Sequence, residues 1–188
     1  GAVDMEFRGT GGATRVHRMY QAGVMRVRFP KGRGAPEAVL INTAGGLTGG
    51  DCVTMGVDMA PGTSAIVTTQ AHEKVYKSSG GTVSMIVSLK VGEGAGLEWL
   101  PQPAILFDRA MLARETHVEL AADAGFLGVE AVIFGRTAMG EAMQTGALSD
   151  HWSIRRDGRL IHADRFALDG AVAERLSRVS VLAGNAAM

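Results

Sequence analysis

The chain has 188 residues, and 19 Lys and Arg against 19 Asp and Glu give a formal net charge of zero, which removes the electrostatic case for nucleic acid or an anionic membrane surface. Hydrophobic residues make up 46% of it, yet no uninterrupted apolar run approaches the ~18 residues that span a bilayer, and Gly1-Ala2-Val3-Asp4-Met5 lacks the basic start and apolar centre of a signal peptide. The single cysteine, Cys52, excludes an internal disulfide and points to a reducing, cytoplasmic setting.

Twenty-six glycines, about twice the usual share, are dispersed among short apolar runs beside only five prolines. That pattern predicts many short strands joined by tight turns. In chain order, Met25-Arg26-Val27-Arg28-Phe29 alternates apolar and basic before Pro30 stops it. Ala65 to Thr69 is rich in β-branched residues, and Val83 to Leu89 alternates apolar with polar. Trp152 to Ile161 reads as two strands around an Asp157-Gly158 turn, a strong hairpin signal. Helical periodicity is confined to Ala171–Val179 and, more weakly, Thr137–Met143.

A loose repeat runs through the middle of the chain. Val57-Asp58-Met59, Val87-Ser88-Leu89 and Val118-Glu119-Leu120 each place a turn-former three residues later, and they begin 30 and 31 residues apart. A second apolar strand follows each copy: Ile66-Val67, Leu97 with Trp99, and Phe126-Leu127 with Val129. The expected fold is mainly β, with stacked sheets, solenoid-like strand repeats and very few short helices, in a single domain over residues 1–188.

Few constellations carry chemistry. The loop Ala44-Gly45-Gly46-Leu47-Thr48-Gly49-Gly50-Asp51 allows positive φ and close backbone approach, but it lacks the Gly-Lys-Ser/Thr ending of a nucleotide-binding P-loop. It therefore reads as a doubly turned connection between strands. His17, His72, His117, His151 and His162 show no zinc-motif spacing, and Cys52 beside Val53 reads as a small core residue. No nucleophile signature is present. Glu98, Asp108 and Glu130 are acids within or at the ends of apolar strands. Alternation sets Glu98 opposite Leu97 and Trp99, and Glu130 opposite Val129 and Ala131. If those faces are covered, the carboxylates need cationic partners such as Arg109 or Arg136.

Taken in order, these segments resemble the UreD (UreH) family of urease accessory proteins. The resemblance rests on Gly45-Gly46-Leu47-Thr48-Gly49-Gly50-Asp51, Thr68-Thr69-Gln70-Ala71, Lys74-Val75-Tyr76-Lys77-Ser78 and Leu97-Glu98-Trp99-Leu100-Pro101-Gln102-Pro103. It continues through Ile105 to Asp108, Phe126 to Glu130, Gly135-Arg136, Gly140-Glu141 and the Trp152–Arg165 hairpin. It implies a non-catalytic scaffold in the cytoplasm that works with a UreF-like accessory protein, a UreG-like GTPase and apo-urease subunits to assist nickel insertion. It implies no tightly bound cofactor, only nickel in transit. On this basis Asp51, Glu98, Asp108 and Glu130 are expected to supply a transient nickel path, with at least two of them lining one internal passage, and Gly45, Gly46, Gly49 and Gly50 to form a structural loop. Family members run longer than this chain, so a C-terminal part is expected to be missing. An alternative from a different class is a β-solenoid carbohydrate-active hydrolase using paired carboxylates such as Glu98 and Asp108. A third is a β interaction module without a metal role.

Overall fold

The structure, a computed structural model, describes residues 1–32 and 34–188. The chain opens with β1 (Ala2–Thr10), β2 (Ala13–Ala22), β3 (Met25–Arg28) and β4 (Glu37–Asn42). Three coils follow: β5 (Cys52–Met59), β6 (Ser64–Thr69) and β7 (Glu73–Val75); β8 (Val83–Val91), β9 (Gly96–Leu100) and β10 (Ala104–Leu106); β11 (Met111–Leu120), β12 (Gly125–Gly128) and β13 (Val132–Phe134). A long hairpin of β14 (Thr145–Arg156) and β15 (Arg159–Ala171) leads into the short α1 (Val172–Leu176).

Each coil contributes one strand to each of three sheets. The seven-stranded sheet runs β15-β14-β11-β8-β5-β1-β2, the five-stranded sheet β12-β9-β6-β4-β3, and the three-stranded sheet β13-β10-β7. The coils stack in parallel, which is the solenoid-like winding expected from the repeat. The register refines that repeat: Val57 pairs with Leu89, and Leu89 with Val118, so the middle copy sits two residues from its sequence alignment. An even shift keeps the same residues inward, and the core phase survives. Ala65, Leu97 and Phe126 line up in the same way on the second sheet. The third strand of each coil, three residues long, lies outside the two-strand unit read from the sequence.

The inward phase of each strand builds one core. Val53, Met55, Val57 and Met59 of β5, Val83 to Val91 at alternate positions of β8, and Leu97 and Trp99 of β9 are all buried in it. The same phase corrects the reading of Cys52, which lies on the outward phase of β5 and is exposed. The Asp157-Gly158 turn has positive φ at both residues (48° and 74°), as the twist of a two-residue hairpin requires. Of the two helical candidates, the first forms α1 and the second only a 3-10 turn at Thr137–Met139.

The glycine-rich loop is a strand connection, with a further structural part. Leu47 is buried and forms a parallel bridge to Val75, its amide donating to the Lys74 carbonyl at 2.7 Å and its carbonyl accepting from the Tyr76 amide at 2.8 Å. It thereby extends the three-stranded sheet by one rung. Gly45 and Gly50 hold φ of 77° and 89°. Gly49 does not need positive φ; a Cβ there would stand 2.6 Å from the Gly81 carbonyl oxygen and closer still to that of Gly80.

Candidate functional site

The inner face of β1, β5 and β8 in the seven-stranded sheet is apolar, and a charged cluster is enclosed where β11 and β14 meet. Alternation along β11 turns Leu112, Arg114, Thr116, Val118 and Leu120 inward. Arg114 is in direct register with Asp150 of β14. Its Nε donates to Asp150 Oδ1 at 3.1 Å, and its Nη2 donates to Asp150 Oδ2. The same Nη2 lies 3.1 Å from Glu130 Oε2, which also accepts the Trp152 indole N–H at 2.6 Å. The side chains of Arg114, Glu130 and Asp150 are 6%, 9% and 8% exposed, so two carboxylates and one guanidinium are enclosed together. Such groups persist away from water only when paired and hydrogen-bonded.

Burial pushes the Glu130 carboxyl above its ordinary value, against the opposing pull of Arg114. For Arg114, burial disfavours the charge, but the hydrogen bonds to Asp150 and the two nearby carboxylates outweigh it and hold the guanidinium above its ordinary value.

Arg114 and Glu130 stand between two cavities. The larger, about 170 Å³, is lined by Asn42, His72, Glu73, Trp99, Arg114 and Glu130, together with the thioether side chains of Met25, Met55 and Met85. Exposed Gly45, His72 and Gln102 lie on its outer side. The smaller, about 120 Å³, is lined by Arg114, Glu130, Asp150, Trp152, Asp164 and Phe166. A water needs only ~10–15 Å³ of such space, so both cavities have room for guests. In the larger one Trp99, 1% exposed, has an indole N–H without a protein acceptor among the described residues. Glu73 accepts the Asn42 amide at 2.9 Å, and burial pushes its carboxyl above the ordinary value.

The four acids expected to share one internal passage are dispersed. Only Glu130 faces the cavities. Glu98 lies on the outward phase of β9 and is exposed, because Leu97 and Trp99 take the core side. Asp51 is exposed and closes its own loop, its carboxylate accepting the Thr48 amide at 2.8 Å. Asp108 sits in the turn after β10, where its Oδ1 accepts the Gln144 and Thr145 amides at 2.8 and 3.0 Å and its Oδ2 meets Arg109 at 3.4 Å. Burial works to raise the Asp108 carboxyl, but those amides and Arg109 outweigh it and hold it below its ordinary value. With Glu98 on the outer sheet face and Asp108 committed to a turn, the paired-carboxylate arrangement of a glycosidase gains no support. The partner of Glu130 is Arg114 rather than Arg109 or Arg136, the latter pairing with Glu141 and stacking 4.2 Å over the Phe107 ring. Sequence reasoning gave no site role to Arg114, Asp150, Trp152 or Glu73; the signal for the first was an arginine in the apolar phase of β11. Among the described residues no group of three or more His, Cys, Asp or Glu is poised to hold a metal, and no helix is long and apolar enough to cross a membrane.

The family described as UreD urease accessory protein matches residues 1–188. A urease accessory protein UreD from Rhizobium leguminosarum bv. viciae is 51% identical over 177 residues, covering 94% of this chain and 65% of the relative. That from Rhizobium rhizogenes is 49% identical over 181 residues, covering 96% and 66%. The protein of the same name from Azorhizobium caulinodans is 46% identical over 188 residues, covering 100% and 69%. The chain thus spans about two thirds of the length of these relatives. With the stacked-sheet fold and a match over every residue, the chain belongs to the UreD urease accessory protein family.

Proposed function

We propose that this chain acts in the cytoplasm as a non-catalytic scaffold in urease maturation, binding apo-urease together with a UreF-like accessory protein and a UreG-like GTPase and assisting nickel insertion. The name carried by its relatives supports the maturation role. The observation that carries the nickel reading is the enclosed Glu130 carboxylate, which borders both cavities and is only partly neutralised by Arg114. A cation in transit needs oxygen donors that hold it weakly enough to let it go, and a carboxylate shared with Arg114 beside water-sized space offers that. Nickel is cargo in this reading, and no resident cofactor is required. Of the four acids expected from the sequence, Glu130 is the one this reading uses; Asp51, Glu98 and Asp108 do not share its cavities.

The test is urease activation in cells carrying the full-length accessory protein with Glu130→Gln. The expected result is several-fold less active urease, while co-purification with the UreF-like protein and apo-urease is retained. Full activation would overturn the nickel reading; loss of the complex would assign Glu130 a purely structural role.

A further inference from the structure

We propose that Arg114 is a displaceable counter-ion: a divalent cation in the larger cavity and the Arg114 guanidinium compete for Glu130. The inference rests on the nickel reading above and adds what regulates the site. Arg114 holds its two carboxylates unequally. To Asp150 it is bound through two nitrogens on two oxygens, whereas Glu130 receives a single approach from Nη2. The contact that yields is therefore the one to Glu130, with Asp150 keeping the guanidinium in place. The contacts of Arg114 and Trp152 both fall on Glu130 Oε2, and the buried Thr116 hydroxyl also stands beside the carboxyl, so Oε1 is the oxygen that neither the guanidinium nor the indole occupies and that a guest would meet. Trp152 holds the carboxylate in position while the guanidinium is exchanged.

The Trp99 N–H, which has no acceptor among the described residues, is a second, independent observation at this cavity: it calls for a guest that brings an acceptor oxygen, as a hydration shell does. A buried donor with no acceptor is costly, and Trp99 lines the cavity that ends at Glu130. A hydrated cation brings water oxygens that can accept this N–H; an apolar guest would leave it orphaned. Charge then sets selectivity. At equal distance a divalent ion gains about twice the Coulomb energy on one carboxylate that a singly charged guanidinium or a potassium ion does. Monovalent ions have nothing to gain by displacing Arg114, and divalent ions do.

The chain supplies its own reporter, since both of its tryptophans border this site. Ni²⁺ alone is titrated into the purified full chain at neutral pH in potassium chloride, and tryptophan emission is read. Arg114→Met combined with Asp150→Asn removes one positive and one negative charge together, leaving the cluster's net charge unchanged and Glu130 without a competitor. Its expected affinity for Ni²⁺ is about tenfold or more above the unmodified chain, with weaker discrimination against K⁺. Arg114→Lys keeps the charge but cannot fork across two carboxylates, and it should shift affinity in the same direction; it serves as the test if the double variant does not fold. Unchanged affinity in the folded variants overturns the counter-ion role. If Glu130→Gln also binds Ni²⁺ like the unmodified chain, the nickel reading itself falls; if Glu130→Gln loses binding while the Arg114 variants are unaltered, only the competition is wrong.

Discussion

Gly49 and Gly45, four positions apart in one loop, separate two reasons for a glycine. Gly45 holds φ of 77° and has open space where a Cβ would project. Alanine there meets only the left-handed backbone cost of about 1–2 kcal/mol. Gly49 has no such φ, but a Cβ would lie 2.6 Å from the Gly81 carbonyl oxygen, with the Gly80 carbonyl and Ser78 Oγ on it as well. Those atoms cannot yield easily, because Ser78 Oγ donates to the Gly81 carbonyl at 2.7 Å and the Gly50 amide reaches the Thr82 carbonyl at 3.3 Å. Overpacking costs about 1–3 kcal/mol, and contact with two backbone carbonyls puts Gly49→Ala at or above the upper end. Gly49→Val should be worse. Urea unfolding followed by tryptophan emission gives both values on one scale. A Gly49→Ala chain as stable as Gly45→Ala, or more so, would refute the close-approach argument.

Arg114→Met leaves two enclosed carboxylates unpaired and should cost about 3–5 kcal/mol, and adding Asp150→Asn should recover part of that in the same unfolding assay. Glu73 is raised above its unfolded value of 4.5, so its favourable contribution is complete below that pH and is lost as pH rises through the folded value. Glu73→Gln should therefore gain stability relative to the unmodified chain on going from pH 4.5 to neutrality, and a pH-independent difference would refute the assignment. Glu98→Gln, on the outer face of β9, should change stability by less than about 0.5 kcal/mol and leave urease activation unaltered, in contrast to Glu130→Gln.

What the sequence made legible was local. Met25 to Arg28, Val83 to Leu89 and the Asp157-Gly158 hairpin carry their own period or turn chemistry, and each forms the element it predicts. The coil repeat was visible because each coil must bury the same phase. The third strand of each coil was not, since three residues are too few to show a period. Gly49 is confined by Gly80 and Gly81, which lie in the connection ahead of the next coil, so no local pattern marks it. Nor could spacing reveal that Glu130 is enclosed: it lies in the connection between β12 and β13, so strand alternation does not apply to it, and Arg114 and Trp152 come from β11 and β14. Arg114 is the instructive miss, since its place between Leu112 and Val118 already put a charge in the core phase.

The two ends of the seven-stranded sheet differ from its middle in a way that bears on how the chain acquires its shape. Antiparallel pairs occur only at the ends, β1 with β2 and β14 with β15, while every interior pair is parallel. Only the end pairs can form by closing a tight turn. Each interior pair must first bring together segments a full coil apart, and the loop-closure entropy grows by about 0.6 kcal/mol for every doubling of loop length. Refolding should then begin at the two hairpins, with the β5, β8 and β11 coils zippering between them afterwards as the slow phase. Weakening the Asp157-Gly158 turn would lower the folding rate at its first step, and core truncations in the middle coils would slow the later phase in which those coils zipper.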